Sequence, residues 1–420
     1  MFRKIVAVFF LFLWRVLMRI IPSRGIAALG RLLFSKSWGI FQQATADPRS
    51  SQQRALMRIL RRNQNTVYGR AHGFGEIRSV EEFQRRVPIV TYEDLEPYIL
   101  RMTRGETNVL VSGSVPYFAR TSGTTGPAKY VPVTEAYLEE FRTGRRVWAR
   151  QVVQAFPRLV RGTLLTMHSP RMEGETEGGI PYGSITVSMG VVDVGRQRKQ
   201  QRLDITEAFQ KIPMSIFYIQ DFNTKYYVLL RFAVVTNISM MAAINPSTLV
   251  LMCQKLTEFA PDLIRDCEQG TLREDLDLDP ELQEKLARRL RKNRKAAARI
   301  RASLKQHGRV RPVDLWPRLC GLVCWKGGAA PFYLRQFPDW FGDLQVMDYG
   351  FAATEGSFSV VLSPDGSKGV VAVTGHFLEF IPADQRESGD PDVLRAHELE
   401  RGGEYFLVFS NLSGLWRYNL

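Results

Sequence analysis

Cysteine is scarce in this chain of 420 residues. Cys253, Cys267, Cys320 and Cys324 are too few and too scattered for a disulfide framework, which points to a reducing, cytoplasmic compartment. Cys320 and Cys324 lie in the apolar run "CGLVCW", where zinc would need two further ligands at matching spacing. Histidine is scarce as well. His72, His168, His307, His376 and His397 sit in no catalytic motif and no G-x-S-x-G occurs, so a Ser-His-Asp hydrolase lacks support. Residues 5–14 are all apolar, but ten residues cannot cross a bilayer. Internal repeats and low-complexity linkers are absent too.

Two stretches lack acid altogether, and they account for the net charge of +15. Residues 285–311 hold twelve Lys/Arg and residues 1–35 hold six, leaving 39 basic against 42 acidic residues elsewhere. In the first stretch Leu282, Leu286, Leu290, Ala297, Ile300 and Leu304 recur at helical spacing, giving an amphipathic helix with a basic outer face. Such a face is either plainly solvated or attracts polyanions without selecting among them, so no specific nucleic-acid partner is expected. The N-terminal segment 1–35 has the basic start of a signal peptide, yet Arg15 and Arg19 fall where a cleavage site should come. Two readings stand for it: a helix docked on the protein's own core, or residues 1–24 resting peripherally on a membrane surface with cations toward the headgroups.

The fold class reads as α/β. Residues 50–104 read as helices and turns, with Thr91 as an N-cap. From about residue 160, "GTLLTMHS", "MSIFYI", "ISMMAAI", "CGLVCW" and "LQVMDYG" alternate with helices, the pattern of mainly parallel sheets flanked by helices. Asn245 and Pro246 start one of those helices. After residue 357 helices vanish. A hairpin around Pro364, Asp365 and Gly366 opens an antiparallel β-subregion over 357–420, within one large domain spanning 36–420.

The stretch "YFARTSGTTGPAKYVPVT" (117–134) concentrates hydroxyls, glycines and one lysine in a turn. Such a turn can aim N–H and O–H donors at a phosphate, with Lys129 adding a cation; a plain Gly/Ser/Thr surface turn explains the composition but not the lysine. No glycine directly precedes Lys129, so the loop is not a Walker A sequence.

"TSGTTGPAK" resembles the phosphate-binding loop of adenylate-forming enzymes, the superfamily of acyl-CoA synthetases and luciferases. "NTVYGRAHGF", "VPIVTYEDLEPYI", "KYVPVT", "INPSTL", "FLEFIP" and "GGEYFLVFSNLSGLWRY" narrow it. From about residue 50 onward the chain resembles the auxin-responsive-promoter (Gretchen Hagen) family of acyl acid-amido synthetases.

That resemblance implies the large N-terminal domain of an adenylate-forming enzyme that uses ATP and Mg²⁺ to join a carboxylic acid to an amine or amino acid. Thr121, Ser122, Gly123, Thr124, Thr125 and Gly126 would line the phosphates, where one preorganised donor is worth roughly 3 to 4 kcal/mol. Lys129 would add charge. In "DYGFAATEG" Phe351 takes an aromatic position, commonly tyrosine in the family, that stacks on adenine; Thr354 takes the hydroxyl position and Glu355 the position of a Mg²⁺ ligand. Gly327 and Gly328 of "CWKGGAAPFYL" correspond to a turn that skirts adenine and the acyl pocket, and are equally a tight strand-to-helix turn. The family's terminal Tyr-Arg-x-Gly-Asp motif is represented by Tyr418 alone, with Asn419 at the arginine position. The ribose-gripping aspartate and the small C-terminal lid domain are expected to be missing, which implies impaired turnover. An acyl-CoA ligase, sharing the first half-reaction, and a catalytically degenerate membrane-surface protein remain the alternatives.

Overall fold

The structure is a computed structural model that describes residues 21–121, 128–167, 173–185 and 211–420. Ser122, Gly123, Thr124, Thr125 and Gly126 of the expected phosphate loop, and most of the apolar N-terminal segment, lie outside the described residues.

Side-chain caps set most of the early helices. Asp47 accepts from Ser50 N (3.1 Å) at the start of Pro48–Asn63, where Pro48 already has helical φ. Ser79 does the same for Val80–Arg86 through Glu82 N (3.1 Å). Thr91 takes the expected N-cap of Tyr92–Thr103, its own N–H donating to Asp94 Oδ2 at 2.8 Å. The long helix Glu135–Ala155 starts at Thr134, whose Oγ1 accepts from Tyr137 N at 3.0 Å. Arg142–Glu135 and Arg146–Glu139 pairs, both 2.6 Å, line its outer side.

A four-stranded parallel sheet carries the centre, in the order Thr163–Thr166, Ile238–Ala242, Leu322–Val323, Val346–Met347. Every residue of Ile238–Ala242 is buried, so the strand reads as a continuous apolar run rather than an alternation. On one side of the sheet Met241 and Leu322 join a core built on Phe222–Ala233, Pro246–Glu258 and Ala260–Gln269. On the other, Met240, Ala242, Val323 and Met347 pack against Val152 and Phe156 at the end of the long helix.

The antiparallel subregion is present: Ser359–Val361 pairs with Gly369–Val371 across the expected hairpin, and Leu394–Arg395, Phe377–Pro382, Tyr405–Ser410 and Tyr418–Asn419 form an antiparallel sheet. Tyr130–Val133, Tyr117–Arg120, Pro181–Gly183 and Gly174–Glu175 form a mixed one in which only the second and third strands run parallel. The α/β class holds, with parallel pairing concentrated in the central sheet.

Two local expectations change. "MSIFYI" is a 3₁₀ turn over Met214–Tyr218 rather than a strand; its burial of Ile216 and Phe217 explains why it looked like one. The basic amphipathic helix is two helices, Pro280–Ala287 and Arg294–His307. Arg289 N and Leu290 N fall back on carbonyls three residues earlier, and Asn293 caps the second helix through Ala296 N at 3.0 Å. The apolar face survives the break, with Leu286, Leu290, Ala297 and Ile300 buried.

Candidate functional site

A cavity of about 730 Å³ opens where the four parallel strands end. Met167, Ala243 to Asn245, Trp325 and Tyr349, each just beyond the carboxyl end of one strand, form its floor. Ligands bind outside such strand ends in open α/β sheets, because loops there can approach without breaking the ladder. The long helix supplies Phe141, Gly144, Arg145 and Trp148, and Phe222–Ala233 supplies Phe222, Lys225 and Tyr226.

Thr121 and Thr354, 233 positions apart in sequence, both line this cavity. So does Ala128, so both ends of the segment 122–127 stand at its wall. That segment is closed at its base: Thr121 N–H donates to Lys129 O (3.0 Å) and Lys129 N–H to Thr121 Oγ1 (3.3 Å), extending the Arg120–Tyr130 pairing by one rung. Lys129 Nζ lies 3.3 Å from Glu93 Oε1 and 4.8 Å from the centre of the Tyr92 ring.

Glu355 sits in the short hairpin of Ala352–Ala353 and Gly356–Ser357. The hairpin is clamped from behind: Tyr137 Oη donates to Thr354 O (2.7 Å) and Asn411 Nδ2 to Glu355 O (2.7 Å). Burial pushes the Glu355 carboxyl above its usual range, and Lys129 pulls the other way. Lys129 and Glu355 therefore feel one another although they lie on separate loops. Ser357 N–H donates to His376 Nε2 (3.2 Å), and His376 Nδ1 lies 3.3 Å from Glu140 Oε2. Glu140 in turn pairs with Arg58 (3.1 Å) and accepts from Leu412 N (2.9 Å). Burial in this layer raises the Tyr137 phenol well above its ordinary pKa.

Phe351 is 54% exposed and leans on Phe358, ring centres 5.2 Å apart. Gly327 and Gly328 do not line the cavity, whereas their neighbour Trp325 does; both glycines are exposed, a Cβ at either would meet nothing within 4 Å, and Gly328 has φ +59°. Asp348 ties this turn to the Phe351 segment: its carboxylate accepts from Lys326 N (3.0 Å) and Gly350 N (2.8 Å). Tyr418 is buried and strand-paired with Phe409, and burial, reinforced by the nearby Glu355 charge, raises its phenol pKa. Beside it, the buried Arg417 binds Glu379 through two contacts of 3.1 Å and the carbonyls of Gln84 and Val87.

Arg145 and Asp348 had no distinguishing signal in the sequence. Arg145 is one of three arginines in "FRTGRRVW"; only the three-dimensional pairing of Arg142 and Arg146 with Glu135 and Glu139 leaves it as the member facing the cavity, over Trp148 (5.5 Å) and Tyr349 (5.9 Å). Among the described residues no cluster of three or more His, Cys, Asp or Glu could hold a metal ion.

Comparison with known proteins locates this architecture. The profile of the GH3 family N-terminal domain matches residues 38–346, and that of the GH3 family central domain matches residues 369–420. Indole-3-acetic acid-amido synthetase GH3.2 of Arabidopsis thaliana is 24% identical over 421 residues, covering 95% of this chain and 75% of its own. Jasmonoyl–L-amino acid synthetase JAR4 of Nicotiana attenuata is 24% identical over 399 residues, covering 90% of this chain and 67% of its own. The solved fold of GH3.15 acyl acid amido synthetase superposes with a TM-score of 0.74 at 20% identity, over 90% of this chain and 65% of that one; its complex with 2,4-DB gives 0.77. The chain thus spans about two thirds of the length of those solved structures.

Proposed function

The chain belongs to the GH3 family, and from that premise we propose that it is an ATP-dependent acyl acid-amido synthetase. A carboxylate oxygen of the acid attacks the α-phosphorus of ATP and pyrophosphate leaves. The nitrogen of an amine or amino acid then attacks the acyl carbon, AMP leaves with its electron pair, and the nitrogen loses a proton. The observation that carries this reading is the convergence of Thr121, Ala128 and Thr354 on one cavity, with Glu355 beside Thr354.

In this reading Thr121 and the segment Ser122 to Gly126 seat the phosphates, and Lys129 adds a cation at its base. Phe351 offers an exposed ring face to the adenine. Tyr418 backs the site from the terminal strand. Arg145, a cation among aromatics at the cavity wall, holds the carboxylate before it reacts. A single carboxylate with phosphate oxygens and water suits Mg²⁺, which rarely takes an all-protein cage; Glu355, partly buried and making no ion pair among the described residues, fits that donor set. Bound there, the ion would neutralise charge on the departing pyrophosphate. What the chain itself does is hold that carboxylate still, through Tyr137, Asn411 and His376.

The acceptor separates this function from a CoA ligase. Incubated with ATP, a carboxylic acid and either an amino acid or CoA, the protein should form the amide and no thioester. Thioester alone would transfer the assignment to the rival chemistry.

A second, independent reading concerns the N-terminal helices. In Ser23–Leu33 and Ser35–Ala46, Leu32, Leu33 and Ile40 are 70%, 62% and 47% exposed, and no acid precedes Asp47 in the chain. No helix among the described residues is long and apolar enough to cross a membrane. Exposed apolar side chains among cations favour contact with an anionic membrane surface.

A further inference from the structure

Among the described residues, two cations line the cavity without an acidic partner. Arg145 projects from the long helix and Lys225 from Phe222–Ala233, so they reach the space from different elements. Neither side chain makes a hydrogen bond or ion pair among the described residues, whereas the remaining charged residues of the wall, Arg120 and Glu173, face one another at 3.7 Å. Asp221 is the acid nearest Lys225 in sequence, one turn earlier, but it caps its own helix through Thr224 N at 2.7 Å. Burial holds both cations below their ordinary pKa, Asp221 partly offsetting this for Lys225. A half-buried charge left unpaired is costly, and an incoming anion relieves the cost.

The proposed ligation accounts for one of these cations. The reacting carboxylate loses its charge as it becomes an acyl-adenylate, so it has use for one partner, which the aromatic-backed Arg145 supplies. Resting on that reading, we infer that Lys225 holds a second carboxylate, one that is never activated. Phe222, Tyr226 and Met167 line the same cavity and supply an apolar surface for the carbon skeleton that bears it. The group has two possible sources: the far carboxylate of a dicarboxylic acid, or the α-carboxylate of an amino acid acceptor.

Calorimetric titration of the full chain tests this without turnover. One arm compares straight-chain dicarboxylic acids with their methyl half-esters. The other compares an amino acid with its primary amide, in the presence of a saturating monocarboxylic acid. In at least one arm the ligand with the extra carboxylate should bind about tenfold or more tightly than its uncharged twin, the value of a charge-assisted hydrogen bond. That ratio should fall to near one in Lys225→Met and persist in Lys225→Arg. The first arm assigns the group to the acid, the second to the acceptor. Ratios near one in the unsubstituted protein, a ratio kept in Lys225→Met, or one lost equally in both variants overturns the inference. Absence of amide synthesis would instead strike the ligase reading and leave this one standing.

Discussion

Glu355 lies under opposed influences, burial that favours its neutral form against its own backbone N–H and Lys129, which favour the carboxylate. Held by backbone contacts on either side, it is the kind of poised group that a cation completes. In the proposed function Arg145 is its counterpart on the acyl side, with an aromatic bed and no acidic partner among the described residues. Replacing it with methionine keeps the packing of the stem and removes the charge. Arg145→Met should weaken acid binding roughly tenfold to a hundredfold, the worth of a charged hydrogen bond, measured by calorimetry; unchanged affinity would remove Arg145 from the site. Neither Arg145 nor Asp348 could be read from sequence, because their roles depend on which neighbours take the competing partners. Thr121 is singled out by the run of hydroxyls and glycines around it, and Glu355 only through the family resemblance, since one acid in a turn carries no distinguishing chemistry of its own.

At the scale of elements, the turn Asp348 to Phe351 shows how backbone geometry serves the site. Gly350 has φ +86°, and a Cβ there would stand 2.6 Å from Ser359 O, while Ser359 Oγ accepts from Phe351 N at 2.9 Å. Gly350→Ala should therefore cost about 2 to 3 kcal/mol of stability from the left-handed φ and the contact together. Urea denaturation would show it, and nucleotide affinity should fall in step because Phe351 is re-aimed. A midpoint equal to the parent's would contradict this account of the turn. Helix starts and parallel strands were legible in sequence for a related reason: Thr91 and Pro246 act within a few residues of themselves, Asn245 holds the expected N-cap position although its side chain makes no capping bond, and the buried strand Ile238–Ala242 leaves an unbroken apolar run. The 3₁₀ turn at Met214–Tyr218 was not, since five apolar residues look alike in either geometry. The N-terminal helices carry a separate prediction. Pelleting with phosphatidylserine vesicles should fall when Leu32, Leu33 and Ile40 are all replaced by serine, and again at high salt, which screens surface charge; pelleting indifferent to both would end the membrane reading.

Across the whole molecule, a parallel sheet sets a cavity at its strand ends, and Thr121 and Ala128, the hairpin that bears Glu355, and the helices carrying Arg145 and Lys225 converge on it. The convergence could not be read from sequence, since residues 121 and 354 meet only through strands paired across the entire chain. Of the described residues that the family resemblance named, Thr121 and Thr354 line the cavity, whereas Lys129, Gly327, Gly328, Phe351, Glu355 and Tyr418 do not; the layer of His376, Glu140 and Arg58 behind the hairpin, scattered over more than 300 positions, was not anticipated at all. All of this makes the joint seating of ATP and a carboxylic acid the central claim. Acid-dependent ATP–pyrophosphate exchange, run over a panel of carboxylic acids, reads it most directly. The account predicts exchange that appears only with a suitable acid and drops about a hundredfold or more in Glu355→Ala, as removal of one fixed charge-stabilising contact does elsewhere; exchange that ignores the acid, or that survives Glu355→Ala at full rate, would contradict it.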